Sequence, residues 1–232
     1  DVWSTSDGTN WTQEMDGGFP YSNDSKRTNI CASAVESYNG KIWLLGGESY
    51  EGFTGSIAMP LHKYGQWQSA WSSTDGEQWL DAFTLDGSNA WQYRAAARSA
   101  VFNSKLWISG GRSTEYYNDL WYMEDKGGDY RAPWVCTTNS TSAMPGLAYH
   151  SFVAYRGYLW IFLGYGCMAP VSYTDQYGVA HTTQQCGYNL NAYRTKDGCV
   201  WEKLTFTEPV EFPTSYPNQN RSWKCIWETV EQ

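Results

Sequence analysis

The side chains from which a catalytic or metal site would be assembled are few in this sequence and scattered along it. With only three histidines, His62, His150 and His181, no Ser-His-Asp arrangement can be argued from the sequence. Tyr149-His150 places a phenol beside an imidazole, donors that suit copper(II) when further N and O ligands join them. Arg27, Arg94, Arg98, Arg112, Arg156, Arg194 and Arg221 offer guanidinium groups for carboxylate binding, but in unlike surroundings. Arg27 and Arg94 precede extended runs and read as turn-positioning or salt-bridged groups. Asp7, Asp75 and Asp197 recur at Asp-Gly turns, each supplying one carboxylate where a hard cation needs about six oxygens. They are expected to bond the backbone of their own turns. The sequence therefore predicts no catalytic residue, no metal and no cofactor.

Six cysteines, Cys31, Cys136, Cys167, Cys186, Cys199 and Cys225, form no CxxC pair and read as disulfides made in an oxidising compartment. The sequons at Asn10, Asn23, Asn139 and Asn220 agree with a secreted or cell-surface glycoprotein. A formal net charge of −8 argues against a nucleic-acid partner. No apolar run approaches the ~20 residues that span a bilayer as a helix. The chain opens on Asp1, which implies a removed leader or a longer parent chain.

These residues must be positioned by a scaffold, and the scaffold is repetitive. One unit reads aromatic, three residues, Asp-Gly, two residues, Trp. It occurs as Trp3 to Trp11, Trp71 to Trp79 and Tyr193 to Trp201, with a worn copy from Trp121 to Trp134. Asp-Gly between aromatic and β-branched residues predicts a tight type I′ hairpin. A second unit alternates with it: Asn39-Gly40 to Gly46-Gly47, Asn103-Ser104 to Gly110-Gly111, and Arg156-Gly157 to Leu163-Gly164. Each copy holds a central Trp (Trp43, Trp107, Trp160) and follows a small-residue, β-branched run, which predicts another hairpin. The paired glycines fit crowding by a neighbouring backbone.

Two hairpins per repeat, with Gly-Gly before an aromatic Asp-Gly hairpin, resemble the kelch repeat. The Asp-Gly units also resemble, more distantly, the Asp-box of sialidase propellers. The resemblance covers essentially the whole chain. It implies an all-β fold, a β-propeller of four-stranded antiparallel blades in one domain, 1–232. Blades are expected at about 29–84, 95–135 and 147–205, with partial blades at 1–12 and 220–232. The termini either complete a small four-bladed ring or belong to a longer propeller, and the missing second strand at the C-terminal end favours the latter.

In such blades the long connections share one face: 48–68, 85–94, 112–117, 136–146, 165–190 and 206–219. Their rings, Tyr50, Phe53, Tyr64, Trp67, Trp91, Tyr93, Tyr116, Tyr117, Tyr173, Tyr177 and Tyr188, are candidate binding-face residues, some of which will instead pack the loops down. Cys167 and Cys186 are expected to staple one such loop. Cys199 with Cys225 and Cys31 with Cys136 are one way to complete the set, other connectivities staying open. The functional expectation is an extracellular binding or structural module with a protein or glycan partner, or self-assembly with a chain that completes a blade, and no membrane insertion. The alternative is a carbohydrate-active enzyme of the copper-radical oxidase or sialidase type. The Tyr149-His150 pair carries the former resemblance and the arginines the latter.

Overall fold

A computed structural model describes residues 1–16, 30–48, 70–82, 91–124, 134–137, 144–167, 171–183 and 186–204. Among these the chain is all-β, with antiparallel sheets and no helix. Strand β1 (Val2–Ser4) pairs with β2 (Thr12–Met15). The first four-stranded sheet follows in chain order: β3 (Ala34–Tyr38), β4 (Lys41–Leu45), β5 (Ala70–Ser73) and β6 (Leu80–Asp81). The second comprises β7 (Arg98–Phe102), β8 (Lys105–Ser109), β9 (Leu120–Met123) and β10 (Val135–Cys136). Strand β11 (Gly146–Ala148) leads into the third sheet, which opens with β12 (Ser151–Tyr155) and β13 (Tyr158–Phe162). An excursion through β14 (Tyr165–Cys167), β15 (Val171–Thr174), β16 (Ala180–Thr183) and β17 (Cys186–Tyr188) precedes its last strands, β18 (Ala192–Thr195) and β19 (Glu202–Leu204). These sheets do not by themselves draw a closed ring.

The first hairpin of each four-stranded sheet is fixed by its turn and its tryptophan. Asn39-Gly40, Asn103-Ser104 and Arg156-Gly157 all have positive φ at both residues, between 46° and 77°. That is the type I′ geometry, whose twist suits a two-residue loop. Across each hairpin the indole N–H of Trp43, Trp107 or Trp160 donates to the carbonyl of Tyr38, Phe102 or Tyr155, at 2.9–3.1 Å. The ring thus enters the core with its polar atom satisfied.

The Asp-Gly hairpins turn differently from the expectation. Only their glycines have positive φ, and the loop between β5 and β6 is longer than two residues. Ser73 Oγ accepts from Gly76 N–H (2.8 Å), and Asp75 Oδ1 accepts from Glu77 and Gln78 N–H (2.9 Å each). Thr5 with Asp7 and Thr195 with Asp197 repeat the pattern. The hydroxyl two residues before the aspartate thus caps a wider turn. The peptide N–H of Val200, then that of Cys199, hold the Asp197 carboxyl below the usual carboxylate range. Bonding to the turn backbone is the role expected for these aspartates.

The sheets stack through their opening strands: β7 lies against β3 on one side and β12 on the other. Alternation along β8 sends Leu106 and Ile108 towards the first sheet and Trp107 towards the third. One core therefore holds Trp43, Leu45, Leu106, Ile108 and Trp134, and the next holds Trp107, Leu147, Leu159, Ile161 and Tyr193. Gly198 meets the second sheet so closely that a Cβ there would come within 2.5 Å of the Trp107 ring.

At the paired glycines, backbone meets backbone. Gly47 N–H donates to Arg94 O (2.8 Å) and Gly111 N–H to Leu147 O (2.7 Å). A Cβ on Gly46 or Gly110 would stand 2.5 or 2.4 Å from those same carbonyls. Gly40 also has positive φ, yet nothing lies within 4 Å of a Cβ there. Gly110→Ala should therefore cost roughly 3 kcal/mol or more, strain and clash together, and Gly40→Ala about 1 kcal/mol. Urea unfolding of the two variants checks this, and equal losses would refute the crowding argument.

Candidate functional site

The paired glycines also decide which side chains reach the loop end of the sheets. The residues that follow them, Glu48, Arg112 and Tyr165, occupy equivalent places in the three repeats. Each pairs with the residue three before the start of its opening strand: Cys31 with Glu48, Ala95 with Arg112, Ala148 with Tyr165. The next positions, Ala32, Ala96 and Tyr149, all adopt left-handed φ of 55–58°. They run from sheet to sheet as a main-chain relay, Ala96 N–H to Ala32 O (2.8 Å) and Tyr149 N–H to Ala96 O (3.0 Å). Scaffold positions repeat their residue types here, while these rim positions differ from one repeat to the next.

Their side chains converge. Arg112 Nη2 donates to both oxygens of Glu48 at 3.1 and 3.2 Å, and its Nε donates to the Tyr149 hydroxyl at 3.0 Å. Glu48 is buried, Arg112 is half-buried, and Tyr149 is 51% exposed. Tyr116 packs on Tyr165 with centroids 5.8 Å apart, and Tyr165 meets Tyr188 edge-on at 5.3 Å. Burial, then the neighbouring Tyr165, push the Tyr116 hydroxyl up from its ordinary value. One carboxylate, one guanidinium and a row of tyrosines thus come from three sheets to one mouth.

A second ion pair joins a buried Arg94 to a partly buried Asp119. Arg94, wholly buried, makes a bidentate contact with Asp119 (2.5 and 2.7 Å), donates to Gly110 O and lies over the Tyr117 ring. Removing one partner of such a pair leaves an uncompensated buried charge. Arg94 is therefore a structural ion-pair group, as its place before a strand suggests.

The segment 165–190, expected to be irregular, is largely strand. β11, β14 and β17 form a three-stranded sheet, with Cys167 opposite Cys186 and disulfide-bonded to it. Beyond the staple, β15 and β16 form a hairpin with Asp175 bonded to His181 and Tyr173 stacked on that imidazole. The segment's polar and tyrosine-rich composition hides the strand signal, because neither of its faces is a core face. A groove of about 340 Å³ runs beside Tyr188, lined also by Pro145, Leu147, Asn189, Leu190 and Asn191.

Of the candidate binding-face rings, Tyr177 and Tyr188 are 82% exposed and Tyr173 about half. Tyr93, Tyr116 and Tyr117 are partly buried. Trp91 is core, edge-on to Trp134 at 5.8 Å. Tyr50, Phe53, Tyr64 and Trp67 lie outside the described residues, as do Cys225, Arg27, Arg221, His62 and the sequons at Asn23, Asn139 and Asn220. Asn10 is exposed on the turn between β1 and β2. The pairing of Cys31 with Cys136 is not formed. Cys31 is an exposed free thiol beside the opening strand of the first sheet, whereas Cys136 ends the outermost strand of the second. Tyr149 and His150 do not aim at one centre either: Tyr149 turns to Arg112, and His150 is buried beside Phe152. Glu48, Arg112 and Tyr149 were not read from sequence as one site. The signal available was the residue after each glycine pair, which is acidic, basic and neutral in turn.

No family model matches the chain, and no curated protein matches it. Among solved structures it is similar to one titled "Structure of YjhT", with a TM-score of 0.55 and 13% identity. The likeness is one of fold. It covers 83% of this chain and 58% of that one, so the chain spans a little over half of YjhT's length.

Burial, then the charge of Arg98, depress His150 to about 3, so it stays neutral in the folded chain. An unfolded histidine takes up a proton near 6.5, so the unfolded state binds more protons below that pH and stability falls as pH drops from about 6.5 towards 3. Acidification from pH 7 to 5 should cost about 2 kcal/mol through this residue. His150→Leu should remove that part of the slope in denaturant titrations at the two pH values.

Proposed function

We propose that the chain is a kelch-like β-propeller, or a segment of a larger one, that works outside the cell as a non-catalytic recognition module. The three sheets are its blades, with β3, β7 and β12 nearest the axis and β1–β2 the outer half of a preceding blade. The order of hairpins, the glycine-pair corners and the likeness of fold support this reading. The disulfide between Cys167 and Cys186 supports an oxidising environment, and in the described residues no helix is long and apolar enough to cross a membrane.

The observation that carries the function is the convergence of Glu48, Arg112, Tyr149 and Tyr165 from three repeats at the loop end. Beside them the stapled β14–β17 arm holds Tyr173, Tyr177 and Tyr188 out to solvent. Rigid aromatics beside polar groups give contact area at little entropic cost. The disulfide closes a loop worth roughly 3 kcal/mol in the unfolded chain and so keeps the arm preorganised.

The test is an array of secreted proteins and glycans probed with the disulfide-bonded chain. A second preparation has residues 171–183 replaced by a short Gly-Ser turn. A ligand bound by the first and weakened about tenfold or more in the second supports the arm's role. Ligands that bind both equally would move recognition elsewhere. Expressed through a secretory pathway, the chain should lose mass on N-glycosidase treatment, and Asn10→Gln should remove one glycan. An unchanged mass would remove the glycoprotein part of the reading.

A further inference from the structure

We infer that the mouth at Glu48, Arg112 and Tyr149, with the groove beside Tyr188, binds a neutral saccharide. The inference rests on the recognition reading above and names the ligand class of that site. Its first support is the state of the guanidinium. Arg112 uses Nε on Tyr149 and Nη2 on Glu48, and among the described residues Nη1 carries no hydrogen bond. Its charge is matched by a carboxylate that is only 6% exposed. An anionic ligand would have to displace Glu48 and leave that carboxylate buried without its cation, which is costly. It would also approach a chain of net charge −8.

A neutral polyol faces no such conflict. Each hydroxyl both donates and accepts, so neighbouring hydroxyls match a platform that presents a free N–H beside the phenolic oxygen of Tyr149. The second support is the aromatic row. Tyr149 is half exposed under the Arg112 guanidinium, and Tyr165 touches both Tyr116 and Tyr188, the last of which lines the groove. Such rings cover the C–H face of a pyranose, giving contact area at two rotatable angles per side chain. The groove's volume of about 340 Å³ falls in the range of roughly 300–1,000 Å³ found for small-molecule sites. Third, the residues that make the platform occupy positions where the repeats differ, while the scaffold positions beneath them are alike.

The experiment is saturation-transfer NMR and calorimetric titration of the disulfide-bonded chain. The probes are neutral oligosaccharides (cellotetraose, laminaritetraose, mannotriose and lactose) and two acidic ones, trigalacturonate and sialyllactose. At least one neutral saccharide should bind, and Arg112→Gln and Tyr188→Ala should each weaken it by roughly tenfold or more. Tyr149→Phe, which keeps the ring, guards against loss of fold and should weaken binding by a smaller factor. Val200→Ser, on an Asp-Gly turn, should leave it unchanged. Binding confined to the acidic probes, absence of any saccharide binding, or neutral binding that survives Arg112→Gln would each overturn the inference. If a protein ligand is lost when residues 171–183 are replaced while no saccharide binds, the loop-face reading stands and only the saccharide falls.

Discussion

The structure depends on a main-chain contact between sheets that no side chain can make. Gly47 and Gly111 donate to the carbonyls of Arg94 and Leu147, and the glycines before them leave room for those carbonyls. With the left-handed relay from Ala32 to Ala96 to Tyr149, this contact brings the entry of each sheet against the exit of its neighbour's second strand. The tryptophans then fill the space between sheets, and the residue after each glycine pair is carried to the rim. The rim side chains and the scaffold geometry are therefore set by adjacent residues.

Polar groups in this assembly are divided by task. Arg94 is taken from water, paired with a partly buried Asp119 and closed off by Gly110 O and Tyr117. Arg112 is partly open over a buried Glu48, which leaves one guanidinium donor and the Tyr149 hydroxyl at the surface. The Asp-Gly turns spend their hydroxyls and carboxylates on their own peptides. His150 stands where the other repeats carry Ser33 and Ala97. It is the one buried imidazole in the described residues, and it ties this stable core to pH.

Much of the scaffold was legible from the residues. The two-residue turns, the indoles and the glycine pairs are local signals with local causes, and each sits on the hairpin read from it. The Asp-Gly turn was misread because the hydroxyl two residues earlier, Ser73 or Thr195, was not counted as part of the turn. The β14–β17 arm was missed because its residues alternate without a buried face. The site was missed for another reason: repeats were compared for what they share, while Glu48, Arg112 and Tyr165 matter by differing. Contacts such as Tyr149 to Arg112 join residues far apart in the chain, and only the stacking of sheets brings them together.

The third corner gives the array a direction. Where the first two repeats have Gly46 and Gly110, the third has Leu163, held at a left-handed φ of 58°. Its Cβ stands where the earlier corners admit a neighbour's carbonyl at 2.5 and 2.4 Å. A neighbour's carbonyl set as at the first two corners would meet a β-carbon at Leu163 in place of a glycine's open side. The third corner thus differs from the first two in shape as well as in sequence, and the repeat carries its own punctuation mark in one leucine.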